Sequence, residues 1–210
     1  MEKNENKIVY TYSAEDNHEQ YLYVNLTNHC TNRCTFCIRN NKDGIGEGRQ
    51  LWLEHEPSAE EVIAALSEYD VKAYEEVVFC GYGEPTMRIE TLIEVAKYLK
   101  EHYGARTRIN TNGHGNEFHK KDITPLFEGV IDTVSVSMNA SNSAAYDTSC
   151  RSIYGERAFE IMLDFAKKAK EHTDVVFSVV DIIGADEVAA CQRLADEIGV
   201  RLRVREYIEE

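Results

Sequence analysis

Short apolar runs alternate along the chain with longer segments of helical period. Tyr21-Leu22-Tyr23-Val24-Asn25-Leu26, Glu76 to Cys80, Arg106 to Asn110, Ile131 to Met138, Val175 to Val180 and Arg201 to Tyr207 have the length and content of strands. Between them Ser58-Ala59-Glu60-Glu61 forms a capping box that opens a helix with Val62, Ile63 and Leu66 on one face. Ile89 to Glu101 is a second helix, stopped near Gly104. Tyr154 to Glu171 carries Ala158, Phe159, Met162, Phe165, Ala166 and Ala169 at helical spacing, and Asp186 to Ile198 ends at Gly199. Six strand units alternating with helices predict an α/β fold whose parallel strands are joined by right-handed crossovers. The pattern alone does not separate an open doubly wound sheet from a barrel. Ahead of these units, Ile8 to Tyr12 and the turn-rich Ser13 to Gln20 predict an N-terminal β-hairpin, and Met1 to Asn6 a frayed end. Asn40 to Glu56, with Gly44, Gly46, Gly48 and the only tryptophan, Trp52, has no clear period, and the sequence leaves open whether it closes as a lid. Asn139 to Ile153 is expected to be a second long loop.

The phase of the strands adds a prediction about the interior. Arg106, Arg108 and Asn110 share one face of their strand; Ser135, Ser137 and, one step on, Asn139 share another; Arg201, Arg203 and Arg205 alternate with Leu202 and Val204. With the apolar set packed beneath the outer helices, the polar set faces inward. Arg108, Arg203 and Arg205 then line a cationic interior suited to a carboxylate or phosphate. The competing assignment is that these arginines neutralise buried carboxylates such as Glu84 and Glu206, or lie at the far end.

Composition narrows the class. The 210 residues suit one domain spanning 1–210, with its core over about 20–207. Hydrophobic residues make up 43%, as in a folded globular protein, and no run of about 18 apolar residues occurs. A net charge of −14 disfavours a broad nucleic-acid face, which needs clustered Lys and Arg, but permits a local basic pocket. Six cysteines without a hydrophobic leader point to the reducing cytoplasm rather than to disulfides.

The chemistry concentrates in Cys30-Thr31-Asn32-Arg33-Cys34-Thr35-Phe36-Cys37, directly after the first core strand. Three thiolates at C-x3-C-x2-C spacing suit an iron–sulfur cluster, and a cubane held by three cysteines keeps one iron open to a small molecule. The structural alternative is a Cys3His zinc site completed by His29, although no second cysteine pair follows. The second element is Gly81-Tyr82-Gly83-Glu84-Pro85, where glycines at a strand end allow close backbone approach to a ligand. Taken together, the two segments resemble the radical S-adenosylmethionine (SAM) enzymes over nearly the whole chain.

That resemblance implies a six-stranded partial (β/α) barrel of TIM type, a [4Fe–4S] cluster on Cys30, Cys34 and Cys37, and SAM on the open iron. It places Gly81, Tyr82, Gly83 and Glu84 at the SAM amino group, Phe36 and Ile182 beside the adenine, and Ser137 and Asn139 at the ribose. Asn110 and Asn112 join the cofactor set. It also implies reductive cleavage of SAM to methionine and a 5′-deoxyadenosyl radical, which takes hydrogen from a substrate. A low-potential donor such as flavodoxin or ferredoxin and sensitivity to oxygen follow. At finer grain, Cys37-Ile38-Arg39-Asn40, Phe79 to Thr86, Arg108 to Gly113, Cys150-Arg151 and Arg203 to Tyr207 resemble the TatD-linked radical SAM family, named for association with TatD-type nucleases. Alternatives within the class are a glycyl-radical activase and a 7-carboxy-7-deazaguanine synthase; outside it stands a zinc-stabilised binding module for such a nuclease. Cys150, in the second loop, is a candidate catalytic thiol, whereas Cys80 and Cys191 suit packing. His114, His119, Lys120 and Lys121 suggest a solvated loop.

Overall fold

The structure is a computed structural model that describes residues 7–11, 20–40 and 50–207. Its chain divides into two units: the residues up to Cys30 with Ile38–Ile109, and Thr31–Cys37 with Asn110 onward. The cysteine segment therefore groups with the second unit, although both of its flanks belong to the first.

In the first unit, Val9–Tyr10 (β1) pairs antiparallel with Tyr21–Val24 (β2), Val9 opposite Val24, as the hairpin expectation required. The expected turn at Ser13 to Gln20, the expected fraying of Met1 to Asn6 and most of Asn40 to Glu56 fall outside the described residues. Glu76–Phe79 (β3) runs parallel to β2, with Leu22 opposite Val77, and is buried along its whole length. Continuous burial is what a parallel strand covered on both faces demands. Thr107–Thr111 (β4) continues the parallel pairing, Val78 opposite Arg108. Ala59–Leu66 (α1) starts at the anticipated capping box: the Ser58 hydroxyl accepts from Glu61 N–H at 3.3 Å, and Ser58 N–H donates to Glu61 at 2.8 Å. Ile89–Tyr103 (α2) buries Leu92, Val95, Ala96 and Leu99 and ends at Gly104, whose φ of 62° needs no Cβ.

In the second unit Thr133–Ser137 (β5), Asp174–Val180 (β6) and Arg201–Arg205 (β7) are parallel, with Ser137 opposite Ser178 and Val180 opposite Arg205. Gly115–His119 (α3) and Ser143–Cys150 (α4) precede the main amphipathic helix, Ala158–Ala169 (α5). That helix buries Phe159, Met162, Phe165, Ala166 and Ala169, each side chain stabilising the unit by roughly 1–3 kcal/mol. Ala185–Ile198 (α6) leads into β7 and ends at Gly199. Both units are thus α/β, with mostly parallel strands, in agreement with the sequence-based fold class.

Several boundaries and one element differ from expectation. Residues 155–157 form a 3-10 turn, so α5 begins at Ala158 rather than Tyr154. Asn139 to Ile153 is not a long loop: it contains α4, capped by Asn142, whose side chain accepts from Ala145 N–H at 3.0 Å. Only Tyr146 and Cys150 are buried on this helix, and two apolar positions four apart give almost no periodic signal. The supposed solvated loop after β4 holds α3, and its first residue, His114, is fully buried. On β7 the apolar set is not covered, because Val204 is 49% exposed.

Because the Ser58 cap is exposed and satisfies an orphan N–H of α1, Ser58→Ala is expected to lower stability by about 1 kcal/mol with α1 otherwise intact, as read from urea midpoints.

Candidate functional site

In the first unit the turn after β3 is pressed against the strand that leads to Cys30. A Cβ on Gly83 would stand 2.3 Å from Thr27 O and 2.5 Å from His29 O, and one on Gly81 would stand 2.0 Å from Asn25 Oδ1. At Gly83 no other residue type fits without moving backbone, and at Gly81 the Asn25 side chain would have to give way. Glu84 N–H donates to His29 O at 2.8 Å, and the buried Glu84 carboxylate accepts from Thr86 N–H (3.0 Å) and its hydroxyl (2.6 Å). Glu84 thereby caps the 3-10 turn Pro85–Arg88. Tyr82 is buried with Tyr10, Tyr23, Leu51 and Val78, its ring edge-on to Trp52 at 4.9 Å. Cys80 packs against the same cluster, and its carbonyl accepts from Tyr10 Oη.

The described end of the Asn40 to Glu56 stretch is tied to β2's continuation. Asn28 Nδ2 donates to Leu53 O (2.8 Å), Leu53 N–H donates back to Asn28 Oδ1 (3.0 Å), and Asn25 Nδ2 donates to Leu51 O (2.8 Å). Glu56 accepts from Thr27 Oγ1 and Arg88 and lies 3.9 Å from His29 Nε2. Arg108 is buried with its Nε 3.3 Å from Glu76 Oε2 and its guanidinium 5.0 Å from the Tyr21 ring centre. Glu76 and Tyr21 begin their strands, so the guanidinium reaches toward the N-terminal ends of β2 and β3. A buried carboxylate meets it there, though not one of the two anticipated.

In the second unit the cysteine segment takes its shape from its neighbours. Arg33 N–H donates to Cys150 O and Thr35 N–H to Ser149 O, both at 2.9 Å, while Ile153 N–H donates to Thr31 O. The last carbonyls of α4, which lack helical partners, are thus capped by the segment flanking Cys34. Cys37 N–H closes a turn on Cys34 O at 3.2 Å. The side chain of Thr31 accepts from Asn112 Nδ2 (2.8 Å) and faces His114 Nδ1 (3.0 Å), while His114 Nε2 meets Ala158 O (3.1 Å). These partners define a neutral imidazole that donates from Nε2 and accepts at Nδ1. Asn32 Nδ2 donates to Tyr146 Oη at 3.1 Å. Burial pushes the His114 pKa down to about 4.

Asn139 follows β5 in a left-handed conformation, φ 54°, inside a three-residue turn closed by Ala140 N–H on Met138 O at 2.7 Å. It is buried, its Nδ2 faces Cys150 Sγ at 4.0 Å, and its Oδ1 has no partner among the described residues. An orphaned buried carbonyl in a strained turn marks a place where a ligand donor is wanted. Cys150 is fully buried; hydrogen bonds from Cys34, Ser149, Asn139 and Tyr146 hold its thiol below the usual range against the opposing effect of burial. The Cys191 thiol, by contrast, is pushed up to about 11, first by burial and then by Glu187.

Among the predicted cofactor residues, Asn112 spends its amide on Thr31 and on His114 N–H, whereas Phe36, Asn110 and Ser137 are half-buried and Ile182 is exposed. Arg203 is exposed and Arg205 half-buried on β7. Cys30, Cys34 and Cys37 form no disulfide and are half-buried, but no three His, Cys, Asp or Glu side chains are gathered as a metal site among the described residues. The donor chemistry, three accessible thiols on one short segment, nevertheless suits an iron–sulfur cluster, and the Asn139 Oδ1 suits a hydroxyl-bearing cofactor. Sequence reasoning missed Thr31, Asn32, His114 and Tyr146; their link is contact between segments far apart in the chain. Among the described residues, no helix is long and apolar enough to cross a membrane.

The family model of the radical SAM superfamily matches residues 24–189, from the end of β2 into α6. The chain belongs to the radical SAM superfamily and is an enzyme of that class, and its α/β arrangement is consistent with the superfamily's partial TIM-type core. Members use a [4Fe–4S] cluster and SAM, with a reductant and a substrate. No curated protein matches the chain significantly.

The buried His114 gives the second unit an acid sensitivity of definite sign. The unfolded chain takes up a proton near pH 6.5 that the folded protein refuses until about pH 4. Stability contributed by the neutral ring is complete above pH 6.5 and is lost as pH falls toward 4, by on the order of 3 kcal/mol. Urea titrations of His114→Gln are expected to show a flatter dependence than the native protein across that window.

Proposed function

We propose that Cys30, Cys34 and Cys37 hold the [4Fe–4S] cluster and that SAM is bound by residues carried on the strand ends. In this assignment Gly81, Gly83 and the Tyr82 backbone let the SAM amino group approach closely, with Glu84 as its charge partner. Asn139 and Ser137 take the ribose, Phe36 and Ile182 border the adenine, and Asn110 completes the polar lining. The observation that carries the assignment is the Asn139 Oδ1, buried and without a partner in a left-handed turn, at a position the family resemblance gives to the ribose. Asn112 serves one step back, holding Thr31 and so the cysteine segment.

When both groups are bound, they supply the one-electron cleavage of SAM to methionine and a 5′-deoxyadenosyl radical that removes hydrogen from substrate. The chain's part is to orient SAM, exclude water and hold the sulfur ligands. The substrate is a small anion, with Arg203 and Arg205 as its cationic contacts; Arg108 is balanced by Glu76 and has a structural share. We place the chain in the TatD-linked family, acting in the cytoplasm with a flavodoxin- or ferredoxin-like donor and associated with a TatD-type nuclease. The sequence segments that resemble that family, together with six cysteines that form no disulfide, support this.

Anaerobic reconstitution with iron and sulfide, then dithionite and SAM, is expected to yield 5′-deoxyadenosine, and Cys34→Ala to reduce it to the level without protein. Uptake of zinc alone would sink the assignment. For the ribose contact, Asn139→Ala is expected to weaken SAM binding about tenfold, the loss of one buried hydrogen bond. Asn139→Gly, which keeps the left-handed turn, should show the same weakening by calorimetry under nitrogen if the side chain rather than the backbone is responsible.

A further inference from the structure

Trp52, the chain's only tryptophan, is fixed in place and yet 44% exposed. Leu51 and Leu53 on either side are buried, so the alternation of an extended backbone turns the indole the other way. Both neighbours are pinned. Asn25 Nδ2 donates to Leu51 O and Asn28 Nδ2 to Leu53 O, each at 2.8 Å, and Leu53 N–H donates to Asn28 Oδ1 at 3.0 Å. The indole meets the buried Tyr82 ring edge-on, with 4.9 Å between ring centres and 67° between planes. Tyr82 stands between Gly81 and Gly83, whose backbone is pressed against Asn25, Thr27 and His29. Trp52 thus belongs to the same packed block as the turn assigned above to the amino end of SAM. That block follows the C-terminal ends of β2 and β3, the side on which α/β sheets bind ligands. A tryptophan face attracts cations more strongly than any other side-chain ring. Among the described residues, the side-chain cation set over a ring is Arg108 over Tyr21, so no cation of the chain takes up the Trp52 face. Residues 50–57 include no Lys or Arg but do include Glu54 and Glu56, a charge balance that favours a cationic ligand.

We propose that Trp52 is a specificity-determining residue that recognises the sulfonium of SAM by a cation–π contact. It thereby favours SAM over S-adenosylhomocysteine, whose sulfur is an uncharged thioether. The two ligands share adenine, ribose, amino and carboxylate groups, so the difference between them isolates the charge on sulfur. That charge is lost when the carbon–sulfur bond breaks, and the contact therefore serves binding and selection rather than cleavage. The inference rests on the assignment of the Gly81–Glu84 turn to SAM.

The test is calorimetry under nitrogen on the reconstituted protein, with SAM and with S-adenosylhomocysteine, for the native chain, Trp52→Phe and Trp52→Leu. Both variants are first matched to the native protein in circular dichroism and in iron and sulfide content. Trp52→Leu is expected to lower the preference for SAM about three- to fivefold by weakening SAM alone. Trp52→Phe, which keeps a weaker π face, is expected to fall between Trp52→Leu and the native chain. A tryptophan that only packs on Tyr82 would weaken both ligands alike and leave their ratio at the native value, which would overturn the inference. The native protein carries a check that needs no variant, because all of its indole fluorescence comes from Trp52. Saturating SAM is expected to quench that emission more than saturating S-adenosylhomocysteine does. Emission that responds equally to both, or to neither although calorimetry shows SAM bound, would also overturn the inference. A native chain that binds neither ligand would refute the SAM assignment of the turn itself, so the two failures are distinguishable.

Discussion

The capping of α4 by the cysteine segment is the interaction on which the second unit's half of the chemistry depends. Residues 31–37 form no strand or α-helix of their own, so the segment's backbone groups must be satisfied from elsewhere. The C-terminal carbonyls of a helix are unsatisfied for the same reason, four per helix end. Arg33 and Thr35 N–H meet Cys150 and Ser149 C=O, and Thr31 O receives Ile153 N–H, so each segment supplies what the other lacks. Cys34 is the residue caught between the two bonds.

Behind this backbone exchange lies a layer of neutral polar side chains. Thr31, Asn112, His114, Tyr146 and Asn32 bond to one another with almost no access to water. Such a network is favourable only if its members are paired, because an unpaired buried polar group costs about 1–3 kcal/mol. His114 fits because its pKa is depressed, which keeps the imidazole uncharged with one donor and one acceptor. Asn139, in the same neighbourhood, has one amide end on Cys150 and no partner for the other among the described residues.

The first unit meets a different constraint, that of close backbone approach. Gly81 and Gly83 are fixed by what lies behind them, Asn25 and the carbonyls of Thr27 and His29, and not by a left-handed turn. The glycines thus let the turn after β3 lie directly on the chain that leads to Cys30. Glu84 is placed by its own cap on Thr86 and by its N–H on His29.

The sequence by itself determined the parallel α/β architecture, the Ser58 capping box, the Gly104 and Gly199 helix ends and the superfamily. Those features depend on local spacing: strand length, helical period, a cap three residues ahead of its partner, three cysteines in eight residues. Only the tertiary structure decided what depends on residues distant in the chain. Helix α4 was hidden because its buried face is just Tyr146 and Cys150, too few for a period. His114 sits among charged neighbours in sequence, yet its ring is enclosed by Thr31, Tyr146 and Ala158, none of them near it in the chain. Arg108 has the strand phase of an inward cation, but its range was set by Glu76 and Tyr21, which draw the guanidinium toward the strand starts. Local spacing fixes which elements form and which chemistry they carry; where a side chain finds its charge or hydrogen-bond partner is a property of three-dimensional contact, and no spacing along the chain encodes it.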